Sequence, residues 1–294
     1  MLTVPEAFEK YRQRLELSET ERNDAIRRHN DVRECIRAKF EVDRDFLTGS
    51  YARHTKTKPL KDVDIFFCLG KKEQHWRGKP PQDVLVAFQK CLAERFGAEN
   101  VELGRRCVTV DFEKANPTVD EDGKVLSNDA VPAFELEDCY EIPDRVLGRW
   151  IKTDPDIHAE EATAKNGDLG GKWVPLVKML KRWNRSAGCP ITPSFLIEVI
   201  ALDLVDPPFT TYPSEVRRYF AAATDGIMRD WPDPAAFGPP VSDQMTSQQR
   251  QAASAALRTA EINAARAVRL EQQDKTGEAL ALWHEIMGKY FPVG

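Results

Sequence analysis

One stretch constrains this chain more than any other: "FLTGSYARHTKTKPLKDVDIFFCL", Phe46 to Leu69. It holds a Gly-Ser pair, a basic run, and two aspartates one residue apart inside an apolar segment. In a strand, residues two apart face the same side. Asp62 and Asp64 therefore project together, while Val63, Ile65 and Phe67 point the other way into a core. Two carboxylates held side by side repel, so one takes up a proton or a cation sits between them. Hard oxygen donors favour magnesium. Gly49 lets the backbone approach a phosphate closely, and the Ser50 hydroxyl can donate to a phosphate oxygen. Arg53, Lys56, Lys58 and Lys61 add positive charge nearby. Carboxylates, metal and phosphate together describe nucleotidyl transfer. Either motif alone also fits solvated strand or turn residues. The ordered combination of strand, Gly-Ser, short basic connection and apolar-flanked Asp-x-Asp is sharper.

The totals fit that reading. The chain has 294 residues, enough for one large domain or two modest lobes. Its 42 basic and 47 acidic residues leave a net charge of -5, which argues against bulk duplex nucleic acid as partner but allows a local basic pocket. The six cysteines form no Cys-x-x-Cys pair and no His cluster accompanies them, so a structural zinc site is not expected; they read as small core residues in a reduced, cytoplasmic setting. No segment has the length and apolarity of a signal core or a bilayer span.

Along the chain, Thr3 with Glu6, and Ser18 with Glu21, mark two capped helices, with Pro5 in the first turn of one. Ile26, His29, Val32 and Ile36 form a stripe on the second. Strands are expected at "DFLTGS", "DVDIFFCL", "RRCVTVDFE" and "NDAVPAF", with a hairpin turn at Asp122-Gly123. "PPQDVLVAFQKCLAERFG" reads as a helix closing at Gly97. Beyond about residue 145 the character turns helical. "KWVPLVKMLKRWN" places Trp173, Val177, Leu180 and Asn184 on one side. "TPSFLIEVIALDLV" is a buried helix capped by Thr192. An Ala-rich helix and a last one around Trp283 complete a bundle. His75, Trp76 and Tyr212 read as loop residues. The expected division is a core over 1–145, with bracing N-terminal helices, and a helical lobe over 146–294.

Two further acids lie in strand-like segments, Asp111 in "VTVDFE", with Val108, Val110 and Phe112 on the opposite face, and Asp129 in the apolar setting of "NDAVPAF". In the second lobe, Lys178 and Lys181 share a helix face, which by itself fits a solvated surface. Ser194 sits at a helix start, a favourable place for an anion, and Phe195 follows it.

"GSYARHTKTKPLKDVDIFF" resembles the signature of the polymerase-β nucleotidyltransferase superfamily. With Arg53 and Thr55, "NDAVPAF", "WIKTDP", "LVKMLKRWN" and the final "W…YFP", the likeness is to the bacterial cyclic-oligonucleotide synthases, the CD-NTases related to cyclic GMP–AMP synthase and oligoadenylate synthase. His54 departs from the small residue usual there. The resemblance implies an α+β fold: a polymerase-β-like sheet lobe and a helical lobe around a central active-site cleft. It implies Asp129 as the third carboxylate beside Asp62 and Asp64, holding two magnesium ions, with manganese able to substitute. Gly49 and Ser50 would steady the phosphates, Lys178, Lys181 and Ser194 would hold the donor triphosphate, and Phe195 would stack on a base. The implied activity is synthesis of a cyclic di- or trinucleotide second messenger from nucleoside triphosphates in anti-phage defence, by a monomer that some relatives pair with HORMA-type or ubiquitin-transfer-like regulators. The competing readings are a non-cyclising nucleotidyltransferase acting on RNA ends, a small molecule or a protein, and a catalytically dead nucleotide-binding sensor or scaffold.

Overall fold

Both N-terminal capping boxes form as the sequence dictates. In a computed structural model describing residues 2–58, 60, 62–112 and 127–293, Thr3 and Glu6 cap α1 (Val4–Arg14), and Ser18 and Glu21 cap α2 (Glu19–Arg37). Lys61 and the expected turn at Asp122-Gly123 lie outside the described residues. The buried stripe of α2 is Ala25, Arg28, His29, Val32 and Ile36; Ile26 lies one residue round the helix and is exposed. The chain divides into two compact units. One comprises Leu17–His158 and Ala235–Gly238; the other comprises Met1–Glu16, Ala159–Pro234 and Pro239–Gly294.

The first unit is built on a mixed seven-stranded sheet. Its strands are β1 (Val42–Thr48), β2 (Asp62–Leu69), β3 (Val101–Leu103), β4 (Val108–Asp111), β5 (Ser127–Glu135), β6 (Tyr140–Asp144) and β7 (Arg149–Thr153). The order is β1-β2-β5-β4-β3, with β6 pairing β5 and β7 pairing β6. Only β2 and β5 run parallel among these pairs. A single helical turn, α3 (Gly49–Ala52), follows β1, and α4 (Pro81–Phe96) ends at Gly97, whose φ of 88° suits a residue without Cβ.

Alternation sets the two faces of this sheet. Ile65, Phe67, Val108, Val110, Ala130 and Phe134 pack with Val32 and Ile36 of α2 and with Val84, Phe88 and Leu92 of α4. Each large apolar side chain so buried contributes roughly 1.5–3 kcal/mol. The opposite face carries Phe66, Cys68, Val131 and Ala133, and, further along the same strands, the aspartates. Pro143 hides β6 from a reading of strand propensity, since proline inside a strand argues against one. His75 and Trp76 lie in a 3-10 helix, Lys71–Gly78, rather than a loop.

α5 (Pro155–Asp168) was not expected, because few of its residues are apolar; the division between the units falls within it. The helical unit adds α6 (Trp173–Ser186), α7 (Phe195–Leu204), α8 (Tyr212–Gly226), α9 (Ser247–Gln272) and α10 (Thr276–Met287). Tyr212 opens α8 and is not a loop residue. α7 begins at Phe195 with Ser194 as its N-cap, two residues later than Thr192 would set it. Trp173, Val177, Leu180 and Asn184 are all buried, as their spacing predicts. Asn184 belongs there because its amide closes two 2.9 Å hydrogen bonds with the backbone of Ile191. α1 joins this core: Phe8 meets Trp283 and Phe291 edge-on, and the Tyr11 hydroxyl donates to the Met287 carbonyl oxygen. Ala253, Leu257, Ala260, Ala264 and Ala267 make the buried face of α9. No helix among the described residues is long and apolar enough to cross a membrane.

Candidate active site

Strand register assembles the site. Thr48 of β1 stands opposite Asp64 of β2, Asp64 beside Asp129 of β5, and Asp129 opposite Thr109 of β4. Registered neighbours share a face, so these four residues form one row across four strands. The next row holds Asp62, Ser127 and Asp111. Asp62, Asp64 and Asp129 therefore face the same way on adjacent strands. Asp111 stands one strand further out, separated from β2 by Ser127. The spacing along β4 cannot choose between Asp129 and Asp111; the strand order places Asp129 next to Asp64.

The Gly-Ser pair has a steric reason to follow β1. Gly49 has φ 63°, and a Cβ built there would come within 1.7 Å of Asp64 Oδ2. A side chain at position 49 would displace the carboxylate it packs against. Ser50 is half-buried in the turn, and its carbonyl oxygen accepts from the Thr55 and Lys56 N–H groups at 3.0 Å. His54 takes a left-handed backbone, φ 58°, a region that residues other than glycine enter uncommonly and histidine more readily than most. The basic run is more engaged than its sequence suggests. Lys56 Nζ lies 3.8 Å from the centre of the Tyr51 ring, and Lys58 reaches Glu21 at 3.6 Å. Arg53 is buried.

Asp129 carries the clearest electrostatic signature. Burial pushes its carboxyl up to about 6, the neighbouring Asp62 charge adds to the rise, and hydrogen bonds from Thr109 and Cys107 oppose it. Thr109 Oγ1 donates to Asp129 Oδ1 at 2.6 Å. Burial and the charges of Asp129 and Asp64 in turn push the Cys107 thiol upward. Sequence reasoning did not single out Thr109 or Cys107. The available signal was parity: Thr109 lies two residues before Asp111 and so shares its face.

Among the described residues no three His, Cys, Asp or Glu side chains stand as a group that could hold a metal ion. The donor set nevertheless fits a hard divalent cation: three carboxylates on neighbouring strands, one of them held toward protonation by burial and by the charge of another.

The remaining sequence candidates lie in the helical unit. Lys178 Nζ contacts both Glu16 carboxylate oxygens at 2.7 and 2.8 Å, and Lys181 Nζ contacts Glu198 at 2.6 Å. Both lysines are buried rather than solvated. Ser194 is exposed at the α7 N-cap and makes no side-chain capping bond, while the half-buried Phe195 packs against the helical core.

A family model of the Second Messenger Oligonucleotide or Dinucleotide Synthetase domain matches residues 2–166. A cyclic AMP-AMP-AMP synthase of an Acinetobacter species is 27% identical over 99% of this chain and 86% of its own length. Escherichia coli CdnC, solved with ATP, is 18% identical, covers 99% of each chain and superposes with a TM-score of 0.72; the same protein solved in a complex with HORMA-deltaN gives 0.70 over 98% of each chain at the same identity. The CD-NTase CdnG of Bradyrhizobium diazoefficiens, solved with GTP, is 15% identical over 97% of this chain and 94% of its own, with a TM-score of 0.71. These structural likenesses show the fold, and the family match carries the assignment. The chain belongs to the Second Messenger Oligonucleotide or Dinucleotide Synthetase family, the bacterial CD-NTases built on the polymerase-β nucleotidyltransferase fold.

Proposed function

We propose that this chain joins nucleoside triphosphates into a cyclic di- or trinucleotide second messenger, releasing pyrophosphate, and that Asp62, Asp64 and Asp129 are its catalytic carboxylates. The observation that carries this reading is the register that sets Asp64 beside Asp129 while Gly49 packs on Asp64. The ribose hydroxyl oxygen of one nucleotide attacks the α-phosphorus of another, the bond to pyrophosphate breaks, and Asp129, steadied by Thr109, takes the hydroxyl proton. A carboxyl near the working pH suits that task. Asp62, Asp64 and Asp129 would hold magnesium, which when bound neutralises phosphate charge and polarises the reacting phosphoryl group. Gly49 and Ser50 orient the phosphates.

For the donor triphosphate we assign Lys178, Lys181, Ser194 and Phe195, and the ion pairs rank the two lysines. Glu16 is 43% exposed, so Lys178 can exchange it for a phosphate; Glu198 is 1% exposed, so Lys181 acts mainly by fixing α6 to α7. The name of the Acinetobacter relative makes ATP the first donor to test. The product is the signal of an anti-phage response, and a HORMA-type protein is the first regulator to try, on the likeness to CdnC.

The test is product identification. The protein is incubated with labelled triphosphates, singly and mixed, with magnesium, and the products are treated with phosphatase and resolved by mass spectrometry. A phosphatase-resistant product without free ends supports cyclisation. A linear product alone, or labelled RNA ends, overturns it.

A further inference from the structure

α2 and α4 carry a second cluster that nucleotidyl transfer does not use. Cys35 and Cys91 bring their sulfurs to 3.6 Å, and each Sγ lies 3.4 Å from the other residue's carbonyl oxygen. A disulfide bond is only about 1.5 Å shorter than that approach. Cys91 is buried, while Cys35 is half-buried. Both line a groove of about 360 Å³ whose charged walls are Asp31, Glu34 and Glu94 against Lys39 and Arg95. Such a mixture suits a small zwitterion with carboxylates and an ammonium group.

We propose that Cys35 and Cys91 form a redox modification site, a dithiol that a low-molecular-weight disulfide of the glutathione class, seated in this groove, converts to an intramolecular disulfide. Cys35 is the attacking thiol. Its hydrogen bond with Cys91 holds it below the ordinary thiol range, with help from Arg95 and Lys39, against the effect of burial. Cys91 is pushed up by the same hydrogen bond and by burial. The Cys35 thiolate attacks one sulfur of the small disulfide, forming a mixed disulfide and expelling one thiolate. Cys91 then loses its proton and attacks Cys35 Sγ, expelling the second. The protein dithiol is oxidised, and the small disulfide is reduced to two thiols. The loop so closed contains Gly49, Ser50, Asp62 and Asp64, so the bond ties down the segment that bears the catalytic residues.

The experiment exposes the folded, full-length protein to oxidised glutathione, blocks free thiols, and locates every cysteine by peptide mapping. Cys189 is exposed and serves as an internal control for the oxidant. The expected result is a Cys35–Cys91 linkage that dithiothreitol reverses, a mass lower by two hydrogen atoms, and a melting temperature higher by about 5 °C. Cys91→Ser should instead trap glutathione on Cys35. Glutathione on Cys189 with Cys35 and Cys91 unlinked overturns the proposal, as does a linkage that forms only in denaturant.

Discussion

The sheet unit pairs buried charge as the helical unit does, Arg105 and Arg106 each meeting the buried Asp144 at 2.8 Å, but it also gathers like charges, and there the two units differ. In the helical unit Lys181 is matched to Glu198, with side chains 4% and 1% exposed, and Lys178 to Glu16. In the sheet unit the strands gather like charges, setting Asp62, Asp64 and Asp129 on one face of β2 and β5. A buried pair that neutralises itself fixes how helices meet. A row of carboxylates fixes nothing by itself and raises the energy of its own surroundings, a cost that an external cation would offset. Substitutions should therefore separate two kinds of site: loss of activity with the fold intact at the aspartates of the sheet unit, loss of stability at the Lys181–Glu198 pair of the helical unit.

The largest effect is expected for Asp62→Asn with Asp64→Asn. Product formation should fall by about 10³-fold or more, while the melting temperature holds or rises because repulsion is relieved. A fall in melting temperature as large as the loss of activity would make the aspartates structural and erase the contrast. Next comes Lys181→Met, which leaves Glu198 buried without its lysine. It should cost about 3–5 kcal/mol in denaturant unfolding, with the double replacement Lys181→Met and Glu198→Met recovering most of it. Lys178→Met should cost about 1 kcal/mol or less, since its partner is partly solvated.

The same division governs what could be read from the sequence. Cap boxes, the Gly97 helix end and the aspartate strand were legible because each is a local rule: Ser18 needs only Glu21, and β2 spans the quoted "DVDIFFCL" without a residue's difference. The choice between Asp111 and Asp129 was not legible from alternation, because it depends on β5 lying between β2 and β4; only the family likeness pointed to it. Thr109 was missed for the same reason, its role being set by a partner on another strand. Ion pairing of Lys178 and Lys181 with residues 162 and 17 positions away leaves no local pattern, so a solvated helix face was the natural reading of buried residues. The cysteines were read together as core. Cys68, Cys91 and Cys139 are, but Cys189 is exposed, and Cys35 and Cys107 are half-buried.

A smaller effect separates a buried neutral group from the charged ones. His29 is buried, its Nδ1 has no hydrogen-bond partner among the described residues, and burial with the Arg33 charge lowers its pKa to about 4. The unfolded chain binds this proton near pH 6.5 and the folded chain does not until about 4. Stability from a neutral His29 is thus complete above pH 6.5 and drains away as pH falls toward 4, by about 2–3 kcal/mol at most. His29→Leu should flatten the melting-temperature profile in that window and leave pH 8 stability nearly unchanged. An identical slope in both proteins would assign acid sensitivity to the carboxylates instead.

The smallest expected change bears most directly on the site. Thr109 donates to Asp129 and so favours its ionised form against burial and the Asp62 charge. Thr109→Val keeps the shape and removes the donor. The Asp129 carboxyl should then rise further, and if its ionised form is the competent one, the acid limb of kcat/KM should move to higher pH by about one unit or less. A bound cation lowers the whole limb in both proteins, so the difference between the two profiles is the quantity to read. A merely structural Thr109 would lower the rate equally at every pH. A displaced limb with an unchanged plateau would mean that the charge gathered on this sheet is tuned by its neighbours across the strands.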